Sequence, residues 1–237
     1  MEIASFLRRV PGLRDVPDRE LARFASVAFS RHLRARELLF QEGEQPAGFY
    51  VVESGWVKTF RSSSAGREIL LDVLGPLDAI GSCCGQVAGG PHGCSASSLT
   101  NARVVWVRGP TWQSVVRECR TLREVVTDML FRARRRCVEL AVDLALLDVD
   151  SRLARLLIRL SQRDGTATGG AGTEISGVLS QQEMAAAIGT AREVVSRHLK
   201  KLLERGVLSK QGRRMTVLRP DLLAALADGK PIKSAGR

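Results

Sequence analysis

Within six residues, Arg192, Glu193, Ser196 and Arg197 bring together two guanidinium groups, a carboxylate and a hydroxyl. On a helix, positions three and four apart are neighbours on one face, which sets Ser196 beside Arg192 and Glu193, and Arg197 beside Glu193. An arginine can donate two bonds to guanine O6 and N7, and a carboxylate can accept from the cytosine amino group. These four residues are therefore candidates for reading base edges in a DNA major groove. Glu193 carries much of that expectation, because an acid would not help a face meant only for phosphates. Glu193 and Arg197 are also four apart, so a plain helix ion pair is the competing reading.

The elements around these residues have the order such chemistry requires. Leu179–Leu203 reads LSQQEMAAAIGTAREVVSRHLKKLL. Ser180 with Glu183 three residues on forms a capping box that starts a short helix. Met184, Ala187 and Ile188 are its apolar positions, and Ala185 is small where two helices approach. Gly189 supplies a left-handed turn, and Thr190 is expected to cap the second helix. Val194 or Val195, Leu199 and Leu202 give that helix a buried side. This is a helix-turn-helix by spacing. Beyond Gly206, Val207–Ser209 and Met215–Leu218 read as two strands of a wing, joined by a turn over 211–214. Ser180, Gln182, Thr190, Lys200, Arg213 and Arg214 are expected to hold phosphates, with Lys201 and Arg205 adding charge.

Charge supports a polyanionic partner. The 237 residues carry a net charge of +11. From Leu179 onward there are 12 Lys and Arg against 5 Asp and Glu, so most of the excess lies in the last quarter. No apolar run is long enough to span a membrane. Met1 to Val10 has no secretory pattern, so a cytoplasmic protein is expected. Five cysteines, an odd number, argue against a disulfide framework. An enzyme on a barrel with clustered His ligands is disfavoured, since the three histidines, His32, His92 and His198, are far apart. No catalytic set and no metal-ligand spacing stands out. A DNA architectural protein without sequence preference is the other rival, and the Arg/Glu/Arg grouping argues against it.

The rest of the chain divides by pattern. Glu2 to about Arg31 reads helical, interrupted at Pro11-Gly12 and Pro17. From Arg34 to Val107, short apolar runs at 37–40, 49–52, 56–60, 69–71 and 104–107 alternate with turns, as in a sandwich or jelly roll. Gly81 to Gly93 reads as a loop. From Thr111, Leu122, Val126, Met129, Ala133, Cys137, Leu140, Leu144 and Leu147 recur at steps of three and four, a coiled-coil-like seam expected to hold a homodimer. Asp150 or Ser151 is expected to cap a helix over 152–162, followed by a loop over 164–172. The fold class is α+β: an N-terminal jelly-roll β-barrel, a long dimerisation helix, and a C-terminal winged helix-turn-helix. The expected domains are 1–110 (sensor), 111–148 (dimerisation helix and hinge) and 149–237 (DNA binding).

These features in this order resemble the cyclic-AMP receptor protein and FNR superfamily of bacterial regulators. Gly43-Glu44 through Val52 with Ser54-Gly55, and Gly75–Gly81, resemble its cyclic-nucleotide-binding-like roll. Leu147-Asp148-Val149 with Arg152–Ala154 resembles its hinge, and Gly189–Arg197 its recognition helix. The resemblance implies a homodimer on a palindromic site with a TGA core, TGTGA-like or TTGA-like, and RNA polymerase as a partner. At the effector site the chain departs from the family. Ser82 stands where cyclic-nucleotide binders have Glu, His92 and Gly93 stand for their Arg-Ser pair, and Cys137 and Val138 for the adenine-facing Thr and Ser. Cyclic AMP is therefore not the expected effector. Ser82, Cys83, Cys84, His92, Cys94 and Cys137 remain as candidate effector residues, which leaves haem, gas or redox-thiol sensing open. A misaligned loop would restore cyclic-nucleotide dependence, with Arg103 the nearest substitute cation.

Overall fold

The computed structural model describes residues 3–45, 48–80, 90–164, 166–168, 172–175, 178–212 and 214–230. The chain divides into two compact units, Met1–Arg61 with Leu71–Val138, and Ser62–Leu70 with Glu139–Arg237.

The first unit opens with two short helices, α1 (Ile3–Arg9) and α2 (Asp18–Ser26). Among the described residues eight strands follow, β5 being divided between the units at Leu70: β1 (Ala28–Leu33), β2 (Leu38–Phe40), β3 (Gly48–Ser54), β4 (Val57–Ser62), β5 (Glu68–Leu74), β6 (Ala79–Ile80), β7 (Ser95–Ser98) and β8 (Ala102–Arg108). They form two four-stranded sheets, ordered β1-β8-β3-β6 and β2-β7-β4-β5. Among the described residues the sheets stay separate rather than closing into the expected barrel. One edge strand of each sheet, β2 and β6, is only three and two residues long and offers little ladder for closure.

The run 49–52 is apolar throughout because β3 is buried on both faces. Tyr50 and Val52 join an interior cluster with Leu33, Phe40, Val57, Ile80 and Val104. Phe49 and Val51 join a second cluster with Phe6, Leu7, Phe24 and Trp112. Trp112 belongs to α3 (Gly109–Glu118) and stacks on Phe49 at 4.0 Å between centroids.

Three elements differ from expectation. The helical reading to Arg31 gives way to β1, whose full-length antiparallel pairing with β8 outweighs local pattern. The small, polar Ser95–Ser98 segment is a fully buried strand between β2 and β4. The helix expected from Thr111 breaks at Cys119, which is extended (φ −107°, ψ 110°). Beyond it runs α4 (Arg120–Leu146).

The second unit contains the end of α4 and then α5 (Val149–Asp164), β9 (Thr166–Thr168), β10 (Gly172–Ile175), α6 (Gln181–Ile188), α7 (Arg192–Glu204), β11 (Leu208–Gln211), β12 (Arg214–Val217) and α8 (Pro220–Ala227). Its sheet runs β11-β12-β10-β9. The wing strands are therefore backed by β9 and β10, from a stretch read largely as loop. α5 starts earlier than expected. Asp148, rather than Asp150 or Ser151, caps it by accepting the Ser151 N–H at 2.8 Å.

Candidate nucleic-acid interface

The helix pair α6–α7 forms where the sequence places it. Ser180 Oγ accepts the Glu183 N–H at 3.3 Å, and the Glu183 carboxylate accepts the Ser180 N–H at 2.6 Å, a complete capping box. Gly189 ends α6 with φ 63° and ψ 48°, the left-handed region that favours glycine. A Cβ there would stand 2.6 Å from Leu144 Cδ2, so the turn is also pressed against the end of α4. Thr190 does not cap α7. Ala191 occupies that position without a side-chain bond, and the Thr190 N–H instead reaches Ala185 O at 3.0 Å.

One side of α7, Val195, Leu199 and Leu202, is buried. The opposite side presents Arg192, Glu193, Ser196 and Arg197, all exposed. Among the described residues, none of these four side chains has a hydrogen-bond or ion-pair partner. The Glu193–Arg197 ion pair is thus not formed, although other arginines of this unit are committed: Arg155 and Arg159 to Asp143, Arg219 to Asp221. Ser180 and Gln182 are exposed at the start of α6, and Thr190 is half-buried in the turn. Lys200 and Arg214 are exposed and lightly tethered, to Glu204 at 3.8 Å and Glu174 at 3.4 Å. Arg213 lies outside the described residues.

The expected seam on α4 meets the chain's own core. Leu122 and Val126 belong to the cluster under α1–α3, with Met129 packed against it. Ala133 is buried, Leu140, Leu144 and Leu147 are half-buried, and Cys137 is exposed. Large apolar side chains left in the open lie on the other face of α4: Phe131 (62% exposed), Val138 (51%), Val142 (44%) and Leu146 (77%).

Those candidate effector residues that are described lie in different surroundings. Ser82, Cys83 and Cys84 lie outside the described residues. His92 is buried and stacks on Phe40 at 3.8 Å between centroids. Its N–H donates to Glu44 O, and its carbonyl accepts from Gly43 N–H, both at 2.8 Å. Cys94 is part of the interior cluster, whereas Cys137 faces solvent. Arg103 is held by Glu53 at 2.7 Å. Among the described residues, no group of three His, Cys, Asp or Glu side chains is placed to hold a metal.

One contact of α7 carries no signal in the sequence. His198, on α7, bonds through Nδ1 to Asp150 Oδ1 at the start of α5. They stand 48 positions apart in the sequence, so no local pattern signals the pairing.

Comparison with known proteins agrees with this geometry. Residues 30–119 match the cyclic nucleotide-binding domain family, and residues 151–226 the Crp-like helix-turn-helix domain family. The chain is 33% identical over 189 residues to the CRP-like cAMP-activated global transcriptional regulator of Mycobacterium tuberculosis, covering 80% of this chain and 84% of that protein. It is 27% identical to the transcriptional activator protein Anr of Pseudomonas protegens, covering 84% of this chain and 80% of that protein. The fold is similar to that of FixK2 from Bradyrhizobium japonicum, with a TM-score of 0.76 at 22% identity, over 84% of this chain and 97% of that one.

Proposed function

Because the chain belongs to the CRP/FNR family of transcription regulators, we propose that it reads a palindromic DNA site as a homodimer through the exposed face of α7. The observation that carries this reading is the set Arg192, Glu193, Ser196 and Arg197, exposed and uncommitted on the side of α7 away from its core. Arg192 and Arg197 address guanine, Glu193 addresses cytosine, and Ser196 completes the reading edge. Ser180, Gln182, Thr190, Lys200, Arg213 and Arg214 hold the backbone on either side. The proposed domains are 1–110 for sensing, 111–148 for dimerisation and hinge, and 149–237 for DNA binding. A second copy of the chain covers the open stripe Phe131, Val138, Val142 and Leu146 of α4, rather than the stripe of Leu140, Leu144 and Leu147 on its opposite side. The protein acts in the cytoplasm, where it meets promoter DNA and RNA polymerase.

The effector is not cyclic AMP in this reading. A cyclic phosphate buried in the roll needs a charge-assisted partner, and the family's arginine position holds His92, stacked against Phe40. Arg103, the nearest alternative, is engaged with Glu53. A sensor of redox state, haem or gas through the Cys/His loop is the alternative this leaves.

The test is selection of bound sequences from random DNA, followed by competition between the selected site and unrelated DNA. Two half-sites about one helical turn apart are expected. Equal affinity for both DNAs would reject base reading. Calorimetry with cyclic AMP and cyclic GMP tests the effector, and micromolar binding that raises operator affinity would reject that part.

A further inference from the structure

We propose that His198 is a positioning residue for DNA recognition, bracing α7 against the start of α5 through Asp150. This rests on the base-reading role proposed for α7.

α7 is seated by Val195, Leu199 and Leu202. Burial of such side chains is favourable but non-directional, so it sets which side of the helix faces the core and leaves the fine rotation to directional contacts. Rotation decides where the tips of Arg192, Glu193 and Arg197 point. At the 5–6 Å radius of a helix with side chains, a turn of about 20° moves a tip by roughly 2 Å, enough to break a bidentate contact with a base.

A hydrogen bond at the edge of the buried face removes that freedom. His198 sits on this edge, its side chain 13% exposed, next in sequence to Arg197. A carboxylate oxygen can only accept, so His198 Nδ1 carries the proton and donates to Asp150 Oδ1. The acceptor is itself fixed. Asp150 lies in the first turn of α5, which Asp148 caps, and Leu153, Ala154, Leu156, Leu157 and Leu160 bury that helix. Asp148 also faces His198, its carboxyl held below the usual range chiefly by the Ser151 N–H, with the imidazole as a lesser contributor. The brace thus ties the reading helix to the segment that leaves α4.

The test compares full-length His198→Leu, His198→Asn and Asp150→Ala with wild type, on the selected site and on random DNA. Leu keeps bulk without a donor, and Asn places an N–H close to where Nδ1 stands. His198→Leu is expected to lose about ten-fold on the selected site and less than two-fold on random DNA. His198→Asn should recover most of the loss. Asp150→Ala should reproduce it and add nothing in the His198→Leu background. Equal loss on both DNAs, no loss on either, or an Asn variant no better than Leu would each overturn the brace. If wild type itself fails to distinguish the two DNAs, it is the base-reading role of α7 that falls.

Discussion

Gly189→Ala should destabilise the helix pair by about 2–3 kcal/mol, from two contributions the structure separates. The first is backbone. Gly189 sits at φ 63°, ψ 48°, where an L-residue costs about 1–2 kcal/mol relative to glycine. The second is steric. The new Cβ would lie 2.6 Å from Leu144 Cδ2, against an ordinary carbon contact of about 3.5–4.0 Å. Leu144 must therefore swing away by about 1 Å, and an off-rotamer side chain costs roughly 0.5–1.5 kcal/mol. The assay is native-state hydrogen exchange of the α6 and α7 amides, which reads this region on its own scale. At about 1.4 kcal/mol per tenfold, exchange should accelerate roughly 30- to 150-fold. Gly189→Ala/Leu144→Ala should recover the steric share, a coupling of about 1 kcal/mol, and leave the backbone share. Gly189→Asn should cost less than Ala, because Asn is enriched in left-handed backbone. Exchange in Gly189→Ala within two-fold of wild type would refute both the turn geometry and the contact with Leu144.

Three further outcomes follow from the same geometry. Arg197→Ala should cost about 1–3 kcal/mol on the selected site and relax preference at one base pair, while Arg214→Ala should weaken all sequences alike and flatten the salt slope by about one unit; titrations on specific and random DNA at several salt concentrations distinguish the two. Asp148, whose carboxyl is held low mainly by the Ser151 N–H, contributes stability present above its unfolded value of about 3.9 and lost as pH falls through its lower folded value. Asp148→Asn should therefore be less stable near neutrality and lose that deficit in acid, which urea midpoints from pH 7 to pH 2.5 will show; a deficit that stays constant would refute the linkage. Val142→Glu should put an unpaired charge into the proposed dimer face and yield monomers in sedimentation, and an unchanged dimer would place the interface elsewhere.

The helix-turn-helix was legible in the sequence because its determinants are local. The capping box spans Ser180 to Glu183, the turn needs only Gly189, and the uncommitted face lies within Arg192 to Arg197. Each is decided by neighbours within one or two turns of helix. β1 and β7 were not legible for the opposite reason. Neither the mixed Ala28–Leu33 nor the small, polar Ser95–Ser98 carries a strand pattern, and both exist because strands distant in the sequence pair with them. The His198–Asp150 contact is of the same long-range kind.

The long helix shows why periodicity alone could not choose a dimer face. α4 carries two apolar stripes, Leu122, Val126, Met129, Ala133, Leu140 and Leu144 on one side, and Phe131, Val138, Val142 and Leu146 on the other. The first is longer and closer to a heptad, so it reads as the seam. A helix that follows α3 through one extended residue, Cys119, must first cover the apolar surface that its own chain presents. Leu122 and Val126 do so within the cluster of Phe6, Phe24 and Trp112, and Leu144 does the same work against Gly189. The stronger stripe is spent within the chain, where contact needs no second molecule. The weaker one is left open, and four large apolar side chains on a single exposed helix face are what a second copy would remove from water.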